Sequence, residues 1–541
     1  MNIKSFLLLI LISVLINVSC KKDFEQINNN PQAFTTASDG SLFNSVVSSC
    51  ILGWNEEFYV NEEKLYPQTQ LAAQFKQAWE NTTIGTEEIW SNYYNALPNF
   101  RELEKRFAAD ATSNEMNNMR AMLKIMRAYK TFKVTDLFGD IPFSEAGYGF
   151  QDVSKLHPKF DSQQSIYLSL LDDLAWADAN INTAATAEPY ATFKVFDKLF
   201  FGDLTMWKKF ANSLRLRYAM RMYSKQPTKA AQIIGDIISN PDKHPVLVGC
   251  DMSGYVGDVA AIYPYLCGYK DQRQQWAMNQ QNLRMGSNMW HQLSAHDSID
   301  GSGIFDGRAY MFFDTNNKNK WVAYPNVPVI STPAESGVPY ATQRNSAAGY
   351  AIKGATCLFS PFNYFFVSDQ DYIPDILMTG AEVNFLKAEA FLRGIGVAAD
   401  PSSADNEFLS GVNASFVWWQ TTMGQTSLLN DGSKFNTMVT IPTTLTYTLI
   451  QSKFDLFNYT TTDDRLKQIY TQEYIDLFRQ VQEAYALVRR VPTGLLPREG
   501  NALQYYRFTI PPSEVQYNLA NYQSCYSSQA DAITTKVWWM Q

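Results

Sequence analysis

The stretch DLTMWKKFANSLRLRYAMRM, residues 203–222, decides the fold class. Leu204, Trp207, Ala211, Leu214 and Tyr218 recur at three- and four-residue spacing, which is one apolar stripe along an α-helix. Arg215 and Arg217 fall off the stripe. Arg221 continues its spacing and marks where the buried part is expected to end. Working outward, the same period returns in MRAMLKIMRAYKTFKVTDLFGD (119–140), where Met122, Met126, Tyr129 and Phe132 form the stripe and Gly139 and Pro142 stop it. It returns again in SIYLSLLDDLAWADANI (165–181), in AEVNFLKAEAFLRG (381–394), and in QEYIDLFRQVQEAYALVRR (472–490). In the 381–394 window the stripe is Ala381, Phe385, Ala388 and Leu392, with Gly394 as the C-cap.

These helices come in pairs joined by short turns, the pattern of helical hairpins stacked as in tetratricopeptide repeats. No clean 34-residue self-similarity is visible, so the repeats are degenerate. Small residues at Ala211, Ala381, Ala388 and Ala390 suit hairpins nested closely. The expected fold is mainly α: tetratricopeptide-repeat-like hairpins forming a superhelical scaffold, with long irregular loops and a few short strands. Two regions depart from the period. Residues 245–375 are rich in Gly, Asn, Ser, Pro and aromatics, with little helical pattern beyond about 286–297; residues 421–450 are Thr-rich and irregular. Long loops on a rigid frame are where binding usually sits.

The N-terminus reads as an address. In residues 11–31, LISVLINVSCKKDFEQINNNP, a greasy run ends at Cys20. With Lys4 ahead of it, the apolar segment 6–16 is too short for a span of ~20 residues and has the length of a secretory h-region. Ser19-Cys20 fits a lipoprotein signal in which Cys20 becomes the acylated N-terminus, although Asn17 stands where such signals usually carry Leu. The expected organisation is a signal peptide over 1–19, a lipidated tether over 20–40, and a single domain over 41–541 with a loop-rich insert at about 245–375.

A net charge of −8 argues against a nucleic-acid partner. Beyond Cys20 the cysteines are Cys50, Cys250, Cys267, Cys357 and Cys525; none is spaced C-x-x-C, and with only four histidines no zinc site is expected. Five is odd, so at least one thiol stays free. No nucleophile elbow, zincin motif or phosphate loop is present, and no cofactor is expected. Glu382 and Glu389, seven apart on one helix face, read as ion-pairing partners for arginines of a neighbouring helix rather than as an acid–base pair. Arg489, Arg490 and Glu483 read as hairpin-packing charges. Asp136 and Asp140 sit on a helix stop and turn. Asp297, Asp300 and Asp306 lie among glycines but lack the alternating ligand order of a calcium loop.

Several segments together resemble the SusD/RagB family of outer-membrane lipoproteins. RAYKTFKVTDLFGDIPFSEA (127–146) is similar to that family's DLFGDIP segment. PKFDSQQSIYLSLLDDL (158–174), GDLTMWKKFANSLRLRYAMRM (202–222), ILMTGAEVNFLKAEAFLRG (376–394), QEAYALVRRVPTG (482–494) and YYRFTIPPSEVQYNLANYQ (505–523) follow in the family's order. FDGRAYMFFD (305–314) resembles its DPR segment. The departures are Tyr485 where the family usually has Trp, and Val491-Pro492 ahead of Thr493. The resemblance implies a non-catalytic, lipid-anchored protein on the outer face of the outer membrane. Such a protein captures glycans or oligosaccharides and delivers them to a SusC-like TonB-dependent transporter. It also leaves peptides open as the ligand class. A cell-surface glycan hydrolase is the competing reading from another class; it requires two convergent carboxylates ~5–10 Å apart, and the sequence points to no such pair.

Sugar rings present apolar C–H faces that pack on indole or phenol rings, so exposed aromatics beside polar side chains are the candidate ligand contacts. Trp90, Trp176 and Trp207 sit on helix stripes and are expected in the core; Tyr93 or Tyr94 shares the Trp90 face. Trp79, with Asn81 beside it, lies where a helical pattern runs into a Thr/Gly loop, and the family's corresponding early loop contributes to its ligand site. Trp276 and Trp290 flank QNLRMGSN, and Trp321 and Tyr324 lie in NKNKWVAYPN, all within the irregular region. These five aromatics and Asn81 are the candidate binding residues; the competing role is anchoring their own loops.

Overall fold

The computed structural model describes residues 37–75, 83–108, 116–250, 257–263, 283–335, 339–344, 351–364, 366, 374–424, 453–500, 503 and 505–540. Helices stand where the periodic windows stand, and their ends have local causes. The Asp203 carboxylate accepts the backbone N–H groups of Thr205 at 2.8 Å and Met206 at 3.1 Å, starting the Leu204–Met222 helix. Ser162 caps Gln163–Asn180 and Thr379 caps Gly380–Arg393 in the same way. The latter helix ends on Gly394 at φ 67°, the left-handed conformation a glycine adopts without a Cβ clash.

Thr83–Ala108, Asn117–Phe138, Gln163–Asn180, Leu204–Met222 and Pro227–Ser239 each pack on the next, giving one run of nested helices. A second run is Gly380–Arg393 against Pro401–Gly424 and Thr462–Asp476, and Gly380–Arg393 also packs on Leu204–Met222, joining the two. The chain is thus mainly helical, as its periodicity predicts. One close approach needs glycine on both sides: a Cβ on Gly235 would stand 2.3 Å from the carbonyl oxygen of Gly396.

Among the described residues, eight short strands form four antiparallel ladders. β1 (Ala73–Gln74) pairs with β5 (Leu283–Arg284), and β2 (Ile141–Pro142) with β3 (Phe160–Asp161). β4 (Val259–Ile262) pairs with β8 (Asp375–Thr379), and β6 (Tyr340–Arg344) with β7 (Ala351–Lys353). The irregular region is clamped to the helices by aromatic packing around Phe478. That ring stacks on Phe312 at 4.2 Å and meets Tyr66, Phe313, Phe362 and Phe366 within 6.1 Å.

Three sequence expectations change. Arg215, Arg217 and Arg221 are all buried, so the interior does not stop at Arg221. Arg217 donates Nε to Glu382 at 2.6 Å, and Arg221 pairs with Asp136 and with Glu483 at 2.5 Å. A stripe pattern counts apolar residues and is blind to carboxylates on other helices. The 472–490 window is not one helix: Thr462–Asp476 gives way to a 3-10 turn, Leu477–Arg479, before Val481–Arg490 resumes. The first described helix, Asp39–Ser48, overlaps the end of the expected 20–40 tether because Ser38 caps it and Phe43, Val46 and Val47 dock in the core.

Glu382 and Glu389 do pair with neighbouring arginines: Glu382 with Arg217, and Glu389 with Arg490 at 2.7 Å and Arg393 at 2.5 Å. Asp136 accepts from Tyr167 and from Trp539 Nε1 at 2.7 Å, while Asp140 accepts the N–H of Gln163 at 2.8 Å. Both are therefore structural. Asp306 holds Arg308 at 2.7 Å, and that buried guanidinium reaches Ser415 at 3.0 Å and Gln472. Trp90 and Trp207 are core; Trp176 is half-buried beneath the Lys124 ammonium, 5.4 Å from its ring.

Candidate functional site

The segment WNEEFYVNEEKL (54–65) builds the surface that stands out chemically. Its helix, Glu56–Leu65, has π geometry, a rare form that is frequent at functional sites. Its polarity is inverted. Glu57, Asn61, Glu62 and Lys64 are buried at 2% exposure or less, whereas Trp54, Phe58 and Tyr59 are half-exposed. Glu56, Glu57 and Asn61 are compensated by Arg479 and Gln482, whereas neither carboxylate oxygen of Glu62 has a hydrogen-bond partner among the described residues. Arg479 donates to Glu57 at 3.1 Å, and the Gln482 amide donates to Glu56 at 2.7 Å and Asn61 at 3.2 Å. With its polar face spent inward, the helix turns aromatics outward. Trp54 and Phe58, four apart, stack at 4.9 Å and 13°, with Tyr59 edge-on to both.

Glu88 fixes this turn, accepting the Glu56 N–H at 2.6 Å and the Asn55 amide at 3.4 Å; burial pushes its carboxyl upward from the usual range. Gly85, early in the Thr83–Ala108 helix, lies where a Cβ would meet Val60 at 2.6 Å and Tyr59 at 3.1 Å. The start of the Thr83–Ala108 helix is therefore seated against these aromatics. The antiparallel register Ala73↔Arg284, Gln74↔Leu283 makes the chain leave β1 and enter β5 at the same end of their ladder. Trp79 and Asn81 follow β1, and Trp276 precedes β5; all three lie outside the described residues, as does Cys20.

Trp290, Trp321 and Tyr324 are described, and they are packed. Trp290 and Trp321 stack at 5.8 Å and 10°, Tyr310 closes on Trp321 edge-on at 5.2 Å, and exposures are 2% and 6%. Gly301, at φ +83°, makes room for this stack: a Cβ there would stand 2.9 Å from Trp321 Nε1. Tyr324 bridges to the strand, its N–H donating to Met285 and its carbonyl accepting from Ser287 at 2.8 and 2.9 Å, with its ring edge-on to Phe359. A ligand platform needs an open ring face, and these three have none. They are loop anchors, the competing role for such residues.

Sequence reasoning missed Trp54, Phe58 and Tyr59, because an aromatic pair at i, i+4 between acidic residues reads as the buried face of a helix. The available signal was the density of charge on the opposite face, which needs partners that only the fold supplies. The acidic group Asp297, Asp300 and Asp306 does not converge: Asp297 faces His291 at 3.1 Å, Asp300 caps Ser302 at 2.9 Å, and Asp306 is taken by Arg308. No described helix is long and apolar enough to cross a membrane.

A family profile described as SusD-like, starch-binding associating with outer membrane, matches residues 31–511. No curated protein sequence matches the chain. Among solved structures, a chitin-binding protein superposes with a TM-score of 0.67 at 21% identity, covering 93% of this chain and 100% of its own. A SusD-like protein from Bacteroides thetaiotaomicron superposes at 0.64 with 19% identity, covering 93% and 99%. A SusD homolog from Bacteroides fragilis gives 0.65 at 15% identity, covering 93% and 100%. At such identities the likeness is one of fold.

Proposed function

The chain belongs to the SusD-like family of outer-membrane-associated, starch-binding-type proteins, and from that premise we propose that it is a non-catalytic capture protein for glycans at the cell surface. In this reading Cys20 carries the lipid anchor, each buried CH₂ of which contributes ~0.8 kcal/mol of membrane affinity. The protein hands oligosaccharides to a SusC-like TonB-dependent transporter. The observation that carries the reading is the half-buried Trp54–Phe58 stack on the turn that packs against the start of the Thr83–Ala108 helix. Stacked rings offer flat apolar faces to sugar C–H groups, and Asn81 offers an amide to hydroxyls. Trp276 belongs to the same proposed surface, because its segment enters the ladder at the end from which the Trp79 segment leaves. The chitin-binding neighbour supports a glycan over a peptide as ligand.

The acids of the helical core do not favour hydrolysis. Glu382, Glu389 and Glu483 are each held by arginines, and none lies free beside an open cleft. The test is affinity purification of the chain from native outer membranes. Recovery of a SusC-like barrel with it, and retention on an insoluble starch or chitin matrix, are the expected results. Retention on neither matrix, with turnover of either, contradicts the reading.

A further inference from the structure

Four helices meet around a small cavity where the two helical runs join. Leu204–Met222 brings Arg217 and Arg221 to it, and Gly380–Arg393 brings Glu382. Thr462–Asp476 brings Glu473, and Val481–Arg490 brings Glu483 and Arg490. All of these but Arg490 are buried. The centre of a water-sized guest has about 10 Å³ to occupy, which is room for one.

Two of the lining groups lack what a buried polar group needs. Arg217 gives Nε to Glu382 and Nη2 to Glu382 and the Leu377 carbonyl. Its buried Nη1 has no hydrogen-bond partner and stands 3.6 Å from Glu483 Oε1. Among the described residues, the Glu473 carboxyl meets only Arg490 Nη2, at 3.4 Å. Burial pushes that carboxyl up to about 8, so at pH 7 it is mainly the neutral acid and carries an O–H to donate. Buried polar groups nearly always have a partner, and a polar contact stretched past 3.5 Å is where a bridging water belongs. The charges around the cavity oppose an ion of either sign. Three guanidiniums and three carboxyls line it, and Asp136 and Glu389 back Arg221 and Arg490 from behind. Water can donate to one set and accept from the other. We propose that the cavity binds one structural water, which accepts from Arg217 Nη1, donates to Glu483 and reaches Glu473. No direct hydrogen bond joins Arg217 to Glu473 among the described residues, so this water links the Thr462–Asp476 helix to Leu204–Met222. The site belongs to the scaffold, and failure of the glycan reading leaves it untouched.

The experiment is a high-resolution crystal structure of the full mature chain at pH 7, with a bromide soak of the same crystals. One ordered water is expected about 2.7–3.2 Å from Arg217 Nη1 and within hydrogen-bond reach of both Glu473 and Glu483. No anomalous bromide signal is expected there. In Glu473→Leu the apolar side chain removes one partner and occupies the space, so the water peak should vanish. In Glu473→Gln, which keeps the polar end, it should remain. A parent structure with no peak, in which Arg217 Nη1 bonds directly to Glu483, overturns the proposal. So does a bromide peak in the cavity, or a water that persists in Glu473→Leu.

Discussion

Arg217→Met tests the buried charge network that holds the two helical runs together. The guanidinium is 2% exposed, donates to Glu382 at 2.6 and 2.5 Å, and stands 3.6 Å from Glu483. Removing it strands Glu382 in the core without its cation, a change that costs about 3–5 kcal/mol. Glu483 gives an independent magnitude. Burial raises its carboxyl, but Arg217 and Arg221 outweigh burial and bring it down to about 2. Against an unfolded value near 4.5, that depression is worth roughly 3 kcal/mol. The sign follows from linkage. A depressed carboxylate contributes stability that is present above its unfolded pKa and is lost as pH falls from about 4.5 toward 2. Urea denaturation of the parent and Arg217→Met chains at pH 7 and at steps down to pH 3 reads both effects. The variant should be about 3–5 kcal/mol less stable at pH 7, with the gap narrowing on acidification. Arg217→Met/Glu382→Leu should recover most of the loss. A deficit under about 1 kcal/mol, or a gap constant with pH, refutes the reasoning.

Other outcomes follow from single sites. Glu473 is pushed up to about 8, chiefly by burial that Arg490 only partly offsets. Its protonated form is favoured in the fold, so this contribution is full below pH ~4.5 and is lost as pH rises toward 8. Glu473→Gln should therefore gain stability relative to the parent at pH 9 but not at pH 5, measured by urea midpoints. Gly301→Val places a side chain at φ +83° against Trp321 and should cost about 1–3 kcal/mol, with faster proteolysis in the 287–325 region. Phe58→Ala should weaken oligosaccharide binding by about tenfold, the loss of ~1–2 kcal/mol of ring contact, with little change in thermal midpoint because Phe58 is half-exposed. Mass spectrometry of the mature N-terminus should find an acylated Cys20; an unmodified terminus or an uncleaved leader contradicts the anchor.

Sequence and structure part company for particular physical reasons. The helices at Leu204–Met222 and Gly380–Arg393 were legible because caps and apolar period are local, and Asp203, Thr379 and Gly394 do what their residue types suggest. The pairing of Glu382 and Glu389 with arginines was legible as a type of interaction, while the partners, 165 and 101 residues away, were not. Arg221 was misplaced because burial of a charge depends on Asp136 and Glu483, which come from other helices. Trp290 and Trp321 stand on an irregular segment that suggested exposure, yet they found each other and Gly301 in the folded loop. The outward face of Trp54 and Phe58 was illegible for the converse reason. Its orientation is set by Arg479 and Gln482, more than 400 residues downstream, which draw the acidic face inward.

The most direct test is isothermal calorimetry of the mature chain with malto- and chito-oligosaccharides and with a mixed peptide digest, followed by chromatography of each sugar. The account predicts saturable binding to an oligosaccharide that is recovered uncleaved, and loss of that binding when Trp54 and Trp79 are both changed to alanine. Binding of peptides alone, cleavage of the sugar, or full affinity in the double variant would contradict it.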